Sequence, residues 1–322
     1  RVIIVSGHLD SRVSDVMNAE SDAPGANDDG SGVAAVIEAA RVLSKSKFPA
    51  TILFVAVSGE EQGLLGAKML ADQAKNEGWK VEAMLNNDMI GNNSFDAKKG
   101  EKPKLRVFSE GLSAFETEKM AAGIRNLGME NDGAARQLAR YVEEIGERYV
   151  KNIDVKLIYR NDRFLRGGDH TPFVNHGFTA VRLTDYYENY DHQHQDIRTE
   201  NGKKYGDLIE FMDFNYLTTN TAVNVSVLAN LAKAAQRPEN VRMDVKELTN
   251  STTLSWDKPL SEKVKGYTVL VRETASSTWT EKIFTTSTSM TIPYSKDNYL
   301  FAVRSISEDG NESLPAIPQI SR

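Results

Sequence analysis

For about 235 residues the chain alternates short apolar runs with amphipathic segments, and after Gln236 that alternation stops. The runs Val2–Ser6, Thr51–Val57, Val81–Asn86, Val155–Tyr159 and Thr179–Leu183 are each brief and mostly apolar or β-branched, as expected of strands covered on both faces. Between them Val33–Leu43, Gly66–Lys75, Ala134–Val150 and Asn215–Ala235 carry helical patterns. The first of these follows Asn27, Asp28 and Ser31, which suit a helix entrance. Such alternation predicts an α/β fold with a mixed, mainly parallel central sheet flanked by helices. The stretch Asn92–Asp132 breaks the rhythm; a strand at Leu105–Phe108 and a helix at Ala114–Asn126 are expected within it, as an excursion from the core.

Beyond Gln236-Arg-Pro-Glu-Asn240 the helix signals vanish. Strand-like runs follow at close spacing: Val241–Leu248, Thr252–Trp256, Gly266–Arg272, Glu281–Thr285, Ser289–Ile292 and Tyr299–Ser305. About 85 residues with roughly seven strands is the size of an immunoglobulin-like sandwich. The expected domains are therefore residues 1–236 and 237–322. Trp256 on an early strand and the run Tyr299-Leu-Phe-Ala-Val-Arg-Ser near the end resemble a fibronectin type III domain. Trp279 is expected either exposed, where it would bind a partner, or at a core or rim position.

Composition excludes several functions. With 39 Lys plus Arg against 45 Asp plus Glu, net charge −6, and no long basic tract, no nucleic-acid partner is expected. There is no cysteine, which removes thiol nucleophiles and thiolate metal sites and leaves imidazole and carboxylate as the good zinc ligands. No run approaches the ~18 apolar residues of a membrane-spanning helix. The chain opens on Arg1-Val-Ile-Ile-Val, a buried strand rather than a signal peptide, which implies that a segment upstream has been removed.

The polar residues gather at strand ends, where open α/β sheets place their ligands. His8-Leu-Asp10-Ser follows the first strand, and Gly25-Ala-Asn-Asp28-Asp29-Gly-Ser-Gly precedes the first helix. Glu60-Glu61-Gln-Gly-Leu-Leu-Gly follows the second strand and Asn87-Asp88-Met the third. Later come Gly167-Gly-Asp169-His170 and Asp191-His192-Gln-His194-Gln-Asp196. Taken singly, each is a turn, a cap or a solvated acid. Together they converge like charges on one crevice, which cations make tolerable.

In this order the motifs from Val2 to Ala235 resemble the M28 family of zinc aminopeptidases. The resemblance implies a zinc-exopeptidase-like three-layer fold and two zinc ions per chain. Asp28 would bridge them, His8 and Asp88 completing one set and Glu61 and His192 the other, with room for a bridging water. The spacing His192…Asp196 favours His192 over His194. Glu60 would act as general base in hydrolysis of N-terminal peptide bonds, on peptides with a free N-terminus. Asp10 would accept a hydrogen bond from the His8 ring, and the bond between Asp28 and Asp29 would be cis. Asp169 and His170 fall in a family segment near the pocket, where substrate contact, support of a ligand and helix capping all remain open. His176 reads as a surface or packing residue. Two other readings stand beside the peptidase: a glutaminyl cyclase-like acyltransferase using one zinc, and a non-catalytic binding ectodomain. The resemblance further implies an exported bacterial protein, secreted or periplasmic, whose C-terminal domain is an accessory module for a surface or polymer.

Overall fold

The computed structural model describes residues 1–93, 101–259 and 263–321. The chain divides into two compact units, Arg1–Ala229 and Asn230–Arg322. In the first, chain order is β1 (Val2–His8), α1 (Gly30–Leu43), β2 (Thr51–Val57), α2 (Leu65–Asn76), β3 (Val81–Asn87), β4 (Lys104–Phe108), α3 (Glu118–Asn126), α4 (Ala134–Tyr149), β5 (Asp154–Ile158), α5 (His170–Asn175), β6 (Ala180–Asp185), the small hairpin β7 (Arg198–Glu200) and β8 (Lys203–Tyr205), and α6 (Phe214–Lys233), whose last turn falls in the second unit.

Six strands form the central sheet in the order β2-β1-β3-β6-β4-β5. All neighbours are parallel except β4 and β6. β1 lies inside the sheet, with Ile3, Ile4 and Val5 fully buried, because helices pack on both faces. Ile4 and Met84 meet Ala71 of α2 and Phe173 and Val174 of α5 on one side. On the other side a Cβ on Gly7 would strike Gly32 and Val33 of α1, and one on Gly146 of α4 would touch Val223 of α6 and Val155 of β5. The result is the expected three-layer mixed α/β fold.

The part of the expected excursion at residues 94–100 lies outside the described residues. The remainder supplies β4, which joins the sheet, and α3, so this stretch is partly core. β6 departs most from the sequence pattern: it carries Arg182 and Thr184 at positions as buried as those of its apolar neighbours.

The second unit is all β apart from the end of α6. It holds β9 (Glu239–Asp244), β10 (Thr252–Asp257), β11 (Val264–Glu273), β12 (Glu281–Thr285), β13 (Ser289–Ile292), β14 (Tyr299–Ser307) and β15 (Gln319–Ser321). These make sheets ordered β13-β10-β9-β15 and β12-β11-β14. Their shared core contains Trp256 edge-on to Tyr267 at 5.4 Å, with Val269, Phe301 and Val303 around them. Trp279 is 8% exposed and packs on Leu270 and Ala302, which settles its alternatives in favour of packing.

Helix α4 carries one electrostatic misfit. Burial, reinforced by Glu147 and Glu144, pushes the Glu143 carboxyl up to about 7. A carboxyl whose folded pKa exceeds its unfolded value costs stability once pH rises above the unfolded value, and the cost is complete above the folded one. Glu143→Gln is therefore expected to melt higher than the parent at pH 8 and at an equal temperature near pH 4. Thermal melts at the two pH values check this; equal gaps at both would remove the assignment.

Candidate metal centre

The parallel strands deliver their C-terminal ends to one edge, and β1 has β2 on one side and β3 on the other. This is the strand-order switch at which such sheets open a crevice. His8 ends β1, Glu60 and Glu61 follow β2, and Asp88 follows β3. The loop entering α1 brings Asp28, joined to Asp29 by a cis peptide bond.

Two groups of candidate ligands result, and they share Asp28. His8, Asp28 and Asp88 form one; Asp28, Glu61 and His194 form the other, with the ligand atoms of each group within 4.8 Å of one another. Asp28 divides its oxygens between them. Its Oδ1 lies 3.2 Å from His8 Nε2, and its Oδ2 lies 2.9 Å from His194 Nε2, which is 2.8 Å from Glu61 Oε1. Backbone N–H groups of Asn27 and Asp28 donate to Asp207, at 2.7 Å for Asp28, and so fix the loop.

The tautomer of His8 shows what this arrangement lacks. Its Nδ1 donates to the backbone carbonyl of Asp10 at 2.9 Å. In the neutral ring Nε2 then carries a lone pair facing a carboxylate oxygen, which a proton or a cation between them must relieve. Burial pushes both histidines down, but the surrounding carboxylates outweigh it. His8 rises to about 12 under Asp29, Asp28 and Asp88, and His194 to about 9 under Asp28 and Glu61. Protons thus stand where positive charge is required. Imidazole and carboxylate donors gathered around a shared carboxylate suit zinc.

Glu60 sits beside this cluster. Burial, with Asp88 adding and His8 opposing, raises its carboxyl to about 9. Asp169 is fully buried with no hydrogen-bond partner on either oxygen. Burial raises it to about 7, against the pull of His8 and with Asp88 and Asp10 contributing. His170 turns away, its Nε2 meeting the Asn161 carbonyl at 2.8 Å.

Two placements differ from the sequence expectations. His192 is not in either group; its ring stacks on Phe211 at 3.7 Å and its Nδ1 faces Asn92. His194 takes that place, with a left-handed backbone at φ 53° that a non-glycine residue adopts only where its surroundings hold it. Asp196, whose spacing favoured His192, is exposed and accepts a hydrogen bond from Ser14 Oγ. Asp10 accepts the hydrogen bond from the His8 ring, as expected, and does so through its backbone carbonyl. The carboxylate accepts from the N–H groups of Gly59, Glu60 and Glu61 and so shapes the loop that carries the two acids. His176 is a surface residue paired with Asp72.

Asp29 ties the edge together from below. Its carboxylate accepts from the N–H groups of His8, Gly32 and Met89 at 2.9, 3.0 and 3.2 Å. Sequence reading missed Asp207, Asp185 and Arg182. Asp185 accepts from the Asn27 amide and the Asn92 N–H, and Arg182 meets Asp88. No motif announced these three, because each acts through contacts distant in sequence.

Residues 1–210 match the pattern of peptidase family M28 and residues 236–319 that of the fibronectin type III domain. A probable zinc metalloprotease of Leptosphaeria maculans is 46% identical over 99% of this chain and 74% of its own length. One from Pyrenophora tritici-repentis is 45% identical over 99% of this chain and 66% of its own. Among solved structures, LapA aminopeptidase of Legionella pneumophila shares the fold at TM-score 0.52 and 20% identity, covering 73% of this chain and 52% of that one. BSAP, a zinc aminopeptidase from Bacillus subtilis, does so at 0.50 and 21%, over 73% of this chain and 47% of that one.

The close approach of α1 to the strand ends is testable. A Cβ on Gly32 would lie 2.4 Å from Asp29 Oδ2 and 2.5 Å from the Asn87 carbonyl, whereas one on Gly123 of α3 meets nothing within 4 Å. Gly32→Ala is expected to cost on the order of 3 kcal/mol, and Gly123→Ala to be neutral or to stabilise by up to ~1 kcal/mol. Equal denaturant midpoints for the two variants would contradict the packing described.

Proposed function

The chain belongs to peptidase family M28 and is a metallopeptidase, and from that premise we propose that it is a two-zinc aminopeptidase releasing N-terminal residues from peptides. The observation that carries the reading is the division of Asp28, one oxygen toward His8 and Asp88 and the other toward Glu61 and His194. A one-metal cyclase needs no carboxylate shared between two sets, and a binding ectodomain needs neither set. The motif order and the aminopeptidases of like fold support the exopeptidase reading.

His8, Asp28 and Asp88 would hold one ion, and Asp28, Glu61 and His194 the other. What zinc supplies when bound is Lewis acidity toward the scissile carbonyl and toward the attacking water. Asp10 holds the 59–61 loop by three backbone N–H groups, so Glu60 and Glu61 keep separate directions although adjacent. Glu60, ionised once cations offset Asp88 and Glu61, takes the water proton on its carboxylate and hands it to the leaving amine nitrogen. Its burial gives it a stronger hold on that proton than a solvated carboxylate has. Asp29 and Asp207 fix the backbones that present His8 and Asp28.

Glu60→Gln is expected to lower turnover of aminoacyl amides by at least ~10²-fold while leaving zinc content unchanged. His194→Ala should lose one zinc equivalent that His192→Ala retains. Metal analysis with an amide panel, including N-acetylated controls, tests the reading; hydrolysis of blocked substrates as fast as free ones would refute the aminopeptidase assignment. We also propose that the protein is exported, secreted or periplasmic, as the resemblance implies. Fractionation of the native host that found it confined to the cytosol would overturn this. The accessory module's surface or polymer contact remains part of the same proposal, and binding of the isolated protein to cell-wall polymer checks it.

A further inference from the structure

Arg182 lies on β6 with no exposed surface, facing the candidate centre. Its Nη1 donates to Asp162 Oδ2 at 2.6 Å and to the Gly167 carbonyl at 3.1 Å. Its Nη2 lies 3.0 Å from Asp88 Oδ2 as an ion pair. Asp162, itself 1% exposed, receives at its other oxygen the N–H of Arg163 at 2.6 Å and Nε of the same residue at 3.2 Å. Arg163 continues to Glu188 at 2.5 Å, and Glu188 to Arg106 at 2.5 Å. A buried guanidinium braced in this way is a fixed positive charge, since neither proton loss nor rotation into water is open to it.

The two candidate ligand groups therefore differ in kind. Glu61 meets His194, which is itself a candidate ligand. The charge beside Asp88 belongs to Arg182 and stays. A permanent cation in contact with a ligand carboxylate repels an incoming divalent ion and claims one of the carboxylate oxygens.

We infer that Arg182, braced by Asp162, is a positioning residue for Asp88 that fixes the direction of its carboxylate and offsets its charge, so that the His8–Asp28–Asp88 half holds a divalent cation more weakly than its ligands alone would. The inference rests on the two-zinc reading.

The test is a zinc titration of the purified full-length protein in competition with a chromophoric chelator, with His8→Asn and His194→Asn assigning each binding step to its half. The double variant Asp162→Asn with Arg182→Met removes the buried pair together, so neither charge is left alone. It is expected to bind zinc at the His8 half at least tenfold tighter, whereas Arg182→Lys keeps the parent affinity there. Unchanged or weaker binding at that half in the double variant overturns the inference, as does tightening of equal size in Arg182→Lys. Should the double variant not fold, Asp162→Asn alone gives the opposite sign. It turns the whole charge of Arg182 on Asp88, and zinc at the His8 half must then weaken; an unaltered affinity overturns the inference. A parent protein that binds no zinc sinks the two-zinc reading itself, whereas two ions bound with affinities indifferent to these substitutions sink only the role of Arg182.

Discussion

One buried carboxylate holds the working edge of the sheet together. Asp29 joins the end of β1, the start of α1 and the turn after β3 through three backbone N–H groups. Those groups need a partner, because they sit where strand and helix hydrogen bonding run out and water does not reach. The carboxylate accepts all three only because Gly7 and Gly32 leave no side chain between the elements. A Cβ on either would come within 2.9 Å of Asp29 Oδ2. His8 and Asp28 are each adjacent to an atom in this knot. The positions of two candidate ligands are thus consequences of a stability contact, and neither rests on a mobile loop.

Much of this was legible in the sequence. The alternation of periods located the sheet and its helices, and the acids and histidine at the strand ends located the crevice, because both patterns are local. His194 was not legible. Two histidines two residues apart share a neighbourhood, and the spacing to Asp196 that favoured His192 concerned an aspartate that faces solvent beside Ser14. What decides between the rings is the packing of Phe211 on His192, a contact set by chain returning some twenty residues later. Asp10 shows a second limit: its presence beside the His8 motif was informative, but whether carbonyl or carboxylate met the ring depended on the loop after β2. Arg182 shows a third, since nothing local in the apolar run Thr179–Leu183 points to Asp88 and Asp162, the two carboxylates that meet it.

Charge explains why those partners matter. The crevice brings together Asp28, Asp29, Glu60, Glu61, Asp88 and Asp169 with little water, and such a set must be neutralised by something. Some of the compensation is exchangeable. The surrounding carboxylates favour a proton on His8 and on His194, and a nitrogen that binds a cation gives its proton up, so that a cation can take over that compensation. Some is fixed: Arg182 stays charged between Asp88 and Asp162, where both carboxylates outweigh the burial that would otherwise discharge it. At Asp29 burial pushes the carboxyl well up despite its backbone hydrogen bonds, and Asp169, without a bonded partner, is pushed up to about 7 by burial against the pull of His8 and Arg182. A site built this way divides its acids by function. The acids that face a histidine, Asp28 and Glu61, are candidate ligands, Asp162 on Arg182 is held as structure, and Asp88, which meets Arg182 and shares a candidate group with His8, is where the two demands meet.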